Sequence, residues 1–135
     1  MGAWSHEPFG NDTANDWAYE LEGATDLVPI EQALDKVLAV GDEYLEAPEA
    51  EEAIAAIEVI AKLLGKGTQS DAYTEKVDAW VRTISSKPSA ALLEKGKRVL
   101  QRVTSEDSEL FELWEEEGDN SWKESIGSLR SAISV

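Results

Sequence analysis

The sequence predicts an all-α protein, an irregular globular bundle of about six to seven helices behind a short extended N-terminal lead-in. Three observations predict it. Apolar residues recur at spacings of three and four through almost the whole chain, the mark of helices with one buried face. No stretch alternates β-branched and polar residues beside hairpin turn chemistry, so nothing reads as a sheet. Pro29, Pro48 and Pro88 stand between the periodic stretches, where helices begin or break. The 135 residues are 42% hydrophobic and the apolar ones are spread along the chain, which suits a single helical domain over residues 1–135 with a core of its own.

The elements follow in order. Trp4, Phe9 and Trp17 are three large aromatics close together at the N-terminus, so the lead-in is expected to be pinned to the helical body through Trp4 and Phe9. Asn11-Asp12 supplies capping residues, and Ala14, Trp17, Ala18 and Leu21 carry a helix over about residues 12–22. After a connector at 23–27, a helix opening at Pro29 places Ile30, Leu34, Val37, Leu38, Gly41, Tyr44 and Leu45 on one face. Pro48 opens the next, with Glu49, Glu51 and Glu52 in a first turn where the helix dipole favours anions. Its buried stripe is Ala50, Ala53, Ile54, Ile57, Ile60, Ala61 and Leu64, and Lys62 followed by Gly65 ends it.

Residues 65–70, GKGTQS, form the clearest loop. This is no P-loop: the lysine precedes the second glycine, and a helix rather than a strand leads in. A helix over about 71–84 presents Tyr73, Val77, Trp80, Val81 and Ile84, and Pro88 separates it from a stripe of Leu92, Leu93, Gly96, Val99, Leu100 and Val103. Residues from about 105 to 116 carry Leu110, Phe111, Leu113 and Trp114. Ser121 and Glu124 have capping-box spacing, and Trp122, Ile126, Leu129 and Ile133 continue to the end. The two halves share no sequence period, which argues against a solenoid.

MGAW at the start, then His6, Pro8-Phe9, Asn11-Asp12, Ala14 and Asp16-Trp17 form a motif whose spacing composition alone does not explain. With AIAAIEVIAKLLG at 53–65, Trp80-Val81, Ser108-Glu109-Leu110, residues 112–116 and Gly118-Asp119, the chain resembles the domain of unknown function 4259 family, short bacterial proteins, over nearly its whole length. The resemblance implies no biochemical activity. Ser5 and Glu7 stand where that pattern has glycines, and the charge of Glu7 would repel an anion, so the lead-in is not read as an anion-cradling glycine nest.

The formal charge of −16 argues against nucleic-acid binding and against docking on anionic lipid; a partner, if the protein has one, is expected to be basic. The charge is unevenly laid out. Arg82, Lys87, Lys95, Lys97, Arg98 and Arg102 are half of the 12 cations and face only Glu94 within residues 82–102, whereas 42–58 and 106–119 hold carboxylates and no cation. The favoured reading is that the basic helix lies against acidic ones and damps their repulsion; an anion or carboxylate site is the alternative. No apolar run is long enough for a membrane span, no leader pattern opens the chain, and His6 spoils a myristoylation signal, so a cytoplasmic, soluble protein is expected.

Without cysteine, thiol catalysis and thiolate metal sites are excluded. His6 is the only histidine, so a paired-imidazole metal site or relay is excluded as well, and the sequence calls for no metal and no cofactor. Two function classes remain. One is a small acidic protein-binding module, of the kind that masks a basic partner such as a toxin nuclease. The other is a small enzyme or ligand- or metal-binding domain centred on His6, Asn11, Asp12 and Asp16 beneath Trp4, the five residues taken as the candidate binding site.

Overall fold

A helix that is apolar on every side has to lie inside a protein, and the segment APEAEEAIAAIEVIAKL comes close to that condition. In the computed structural model, which describes residues 6–118 and 120–134, this segment is the central helix. The helices are α1 (Asp12–Glu22), α2 (Val28–Val40), α3 (Ala47–Leu63), α4 (Glu75–Thr83), α5 (Ala90–Val103), α6 (Glu109–Glu117) and α7 (Ser121–Ala132), with a 3₁₀ turn at Ala72–Thr74 leading into α4. All six other helices pack against α3. The fold is all-α, with no strand among the described residues. Among the described residues no helix is long and apolar enough to cross a membrane.

Most boundaries follow local chemistry. Asn11 caps α1, its Oδ1 accepting the Ala14 N–H at 2.7 Å, and Asn15 Nδ2 reaches back to the carbonyls of Phe9 and Asn11 at 3.0 and 2.8 Å. Ser89 and Ser108 cap α5 and α6 in the same way. Trp17, Trp80 and Trp122 are buried and Trp114 is half-buried, while Trp80 Nε1 donates to the Ala24 carbonyl at 2.9 Å and fixes the connector after α1.

Four sequence expectations are corrected. The α2 stripe does not continue to Tyr44: Gly41 adopts φ +62, a conformation glycine tolerates, and the helix stops at Val40. Tyr44 is exposed, and Leu45 is buried from a loop instead of a helix face. Tyr73 is exposed as well, because the Asp71 carboxylate caps a 3₁₀ turn there and shifts the start of α4 to Glu75. The sixth helix starts at Glu109 rather than near 105, since Ser108 supplies its cap. The seventh has Asn120, not Ser121, at its N-cap, with Glu124 N–H bonded to the Asn120 carbonyl at 3.0 Å, so the Ser121–Glu124 capping box is not what starts it.

The N-terminal lead-in docks, as far as it is described: Phe9 is completely buried, and residues 7–10 close a turn through Gly10 N–H to the Glu7 carbonyl at 2.9 Å. Trp4 lies outside the described residues. What holds the lead-in is a polar network inside the core. Glu58 on α3 has no exposed surface, and its carboxylate accepts from Thr68 N–H at 2.8 Å, Thr68 Oγ1 at 2.7 Å and Gln69 N–H at 2.8 Å. Lys62, one turn on, lies 3.8 Å from Glu58 and 2.7 Å from Asp78 and donates to the Gln69 carbonyl. The Gln69 side chain then accepts the Phe9 N–H at 2.8 Å and donates to Asp71 at 3.1 Å. The loop presses so closely on α3 that a Cβ on Gly67 would come within 2.6 Å of Lys62 Cγ, which accounts for glycine in GKGT.

Removing one partner of a buried charged network leaves the rest uncompensated, at a cost of about 3–5 kcal/mol. Glu58→Ala is therefore expected to lower unfolding stability by about 3 kcal/mol or more. Urea denaturation measures it. A loss under about 0.5 kcal/mol, the scale of an ordinary surface change, would show that the loop is held by something else.

Candidate functional site

On a helix that is buried all round, the residues of interest are the polar ones that could not be kept outside. Glu51 precedes Glu58 by seven residues, about two turns, so the two carboxylates share a face of α3. From the sequence Glu51 is a first-turn acid and Glu58 the end of a cation-free stretch, and neither belongs to the expected buried stripe; both are inside. Glu51 is 7% exposed. Burial pushes its carboxyl above the usual range, the Thr13 side chain pulls it down, and the nearby charges of Glu109 and Asp12 push it up again. For Glu58 burial also pushes upward, opposed by the Thr68 hydroxyl, the N–H groups of Gln69 and Thr68, and Lys62. The signal for these residues was present in the all-round apolar character of residues 53–61, which leaves Glu58 no solvent face.

Glu51 lines a small cavity of about 10 Å³ together with His6, Asn11, Ile54, Trp114 and Trp122. An adjoining cleft of about 270 Å³ shares His6, Glu7 and Pro8 as wall and is completed by Thr68 and by Ser121, Glu124, Ser125 and Ser128. Of the five candidate residues, His6 is exposed and lines both spaces, and Asn11 is buried at the small cavity with its Oδ1 engaged in capping α1. Asp12 and Asp16 are exposed on α1 and line neither space. Trp4 is outside the described residues. Among the described residues no three His, Asp or Glu groups come together as a metal-ligand set.

A second feature lies on the other side of α6. Leu45 and Ser108 form an isolated parallel bridge, with Leu45 N–H to the Asp107 carbonyl and Glu109 N–H to the Leu45 carbonyl, both at 2.8 Å. Glu109 Oε1 also accepts the Ala47 N–H at 2.8 Å. The two cation-free stretches of the sequence are thus joined edge to edge. Tyr44 donates to Glu112 at 2.7 Å, and that bond, with the surrounding carboxylates, pushes the phenol up to about 12. Arg102 reaches into this region but binds the backbone carbonyls of Gly41, Glu43 and Asp107, leaving the carboxylates uncompensated by it. Clefts of about 590 and 380 Å³ flank Phe111; Asp42 and Asp107 line the first, Glu112, Glu115 and Glu116 the second, and Glu106 both. Lys123 sits 5.6 Å from the Phe111 ring centroid and 3.1 Å from Glu115.

The basic segment behaves in part as the sequence suggested. Lys95 on α5 bridges Glu31 and Asp35 on α2 at 2.8 and 2.9 Å. Among the described residues no other cation of residues 82–102 forms an ion pair, and Arg82, Lys87 and Arg98 are exposed.

A family model described as a domain of unknown function (DUF4259) matches residues 2–125, and the chain belongs to that family. No curated protein and no solved structure matches it.

A carboxyl whose pKa is higher in the folded than in the unfolded state binds its proton more tightly when folded, so its favourable contribution is complete below the unfolded pKa and lost as pH rises through the folded one. Glu51 is such a group. With general repulsion screened by about 0.5 M NaCl, stability is expected to fall between about pH 5 and about pH 7, and Glu51→Gln should shrink that fall while raising the melting temperature at the higher pH. Thermal melts of both proteins at the two pH values check this. An unchanged pH dependence in Glu51→Gln would mean that Glu51 titrates as an exposed acid.

Proposed function

We propose that this member of the DUF4259 family is a protein-binding module whose acidic face, built from residues 42–46 and 106–117, takes a basic partner. The observation that carries the reading is the Leu45–Ser108 bridge, which sets two cation-free stretches side by side around Phe111 and Tyr44. A carboxylate rim with aromatic groups between suits lysine and arginine side chains: the charges steer and orient, and an aromatic ring face attracts the cation. Lys123 over Phe111 is an internal instance of the same pairing. The formal charge of −16 adds long-range attraction for a basic surface. Masking a basic effector such as a toxin nuclease is one role this chemistry fits, and a cytoplasmic location goes with it.

A reading centred on His6, Asn11, Asp12 and Asp16 draws less support, since Asn11 is engaged in the α1 cap and the two aspartates line neither N-terminal cavity.

The test is a pull-down from native cytosol at low and high salt, with the triple variant Glu112→Lys, Glu115→Lys, Glu116→Lys beside the natural protein. The natural protein is expected to retain a basic partner at low salt and release it at high salt, and the variant to bind at least about tenfold more weakly, because electrostatic contacts of this kind dominate association. Equal retention by the variant, or a partner that is not basic, contradicts the proposal.

A further inference from the structure

Glu51 and Glu58 make an internal comparison, because the same helix buries two carboxylates on one face and treats them differently. Glu58 receives two backbone N–H groups, a hydroxyl and the ammonium of Lys62. That is what folding supplies when a buried carboxylate is structural. Glu51 is only 7% exposed, the Thr13 side chain is the one group that favours its charged form, and the charged groups acting on it, Glu109 and Asp12, are of like sign. Among the described residues no lysine or arginine pairs with it. The cavity it lines has about 10 Å³, room for one group of the size of water. Trp114 and Trp122 form part of the wall, and tryptophan is the aromatic best suited to a cation.

We propose that the Glu51 cavity is a binding site for a primary ammonium group, which pairs with the carboxylate while the remainder of the ligand lies in the 270 Å³ cleft lined by Ser121, Ser125 and Ser128. The site does for a ligand what Lys62 does for Glu58. Its size excludes a quaternary ammonium, whose methyl groups need several times the room of a water molecule. A free alkylamine and a lysine side chain present the same head group, and the two differ in what the cleft must hold. This inference stands apart from the acidic face and does not depend on it.

The test is a titration of the whole protein followed by the indole N–H resonances of Trp114 and Trp122, at about 0.15 M NaCl to screen general attraction to an acidic protein. The probes are n-butylammonium chloride, Nα-acetyl-lysine amide, tetramethylammonium chloride and 1-butanol. Saturable shifts are expected from n-butylammonium with Kd of about 1 mM or tighter, absent with tetramethylammonium and 1-butanol, and at least tenfold weaker in Glu51→Gln. Matching saturation by the lysine derivative assigns the site to lysine side chains as well; its absence confines the site to free amines. If 1-butanol or tetramethylammonium shifts the same resonances as strongly, or if neither primary amine saturates, the proposal is overturned without recourse to the variant.

Discussion

The fold depends on a carboxylate that water never reaches. An isolated buried anion carries a desolvation penalty of several kcal/mol, and Glu58 offsets it by drawing the loop after α3 back onto the helix. Thr68 and Gln69 turn their N–H groups to it, Lys62 supplies the counter-charge, and Asp78 on α4 balances Lys62 in turn. Once Gln69 is held, its side chain holds Phe9, and the lead-in, sixty residues away in sequence, gains a fixed position. Both N-terminal cavities inherit their walls from this arrangement, since Pro8 and His6 come one and three residues before that anchor. A sequence loop with superficial nucleotide-site character proves to be an anion cradle filled by the protein's own side chain.

Much of the helical architecture was legible because helical periodicity is a local property. Asn11 as a cap, the connector after α1, Pro48 at the second position of α3 and Gly65 after its end are all decided within a few residues. The errors arose where a local pattern had two continuations. Gly41 sits at a spacing that would extend the α2 stripe, yet its positive φ ends the helix, and Tyr44 moves from the core to the surface. Tyr73 was similarly assigned to a stripe that Asp71 and Thr74 replace with a 3₁₀ turn. The burial of Glu51 and Glu58 was missed for a different reason: residue type says surface, and only the absence of any polar face on the helix says otherwise.

The candidate site was legible in part. His6 and Asn11 do meet at one cavity, whereas Asp12 and Asp16 remain outside it, because a fourfold spacing on α1 places both on its exposed side. Glu51 could not be linked to His6 from sequence, since the link runs through the docking of the lead-in. Nor could the two acidic stretches be known as neighbours. Their contact is built on a bridge between residues 63 apart, with the Tyr44–Glu112 and Ala47–Glu109 bonds beside it, and charge alone would have kept them apart. That a chain of −16 accepts such a juxtaposition, with Lys95 relieving only the α2 side, implies that the acidic face is tolerated at some cost to stability.

If Glu58 organises the loop and the lead-in, the amide protons that report on it are those of Thr68, Gln69 and Phe9, the first two bonded to Glu58 and the third to Gln69. All three lie outside helices, where amides ordinarily exchange through low-energy local opening. Native-state hydrogen exchange followed by NMR measures them directly. The predicted result is protection of these three amides matching that of the α3 interior, so that they exchange only with global unfolding; exchange at the rate of an open loop, with α3 still protected, would contradict the account.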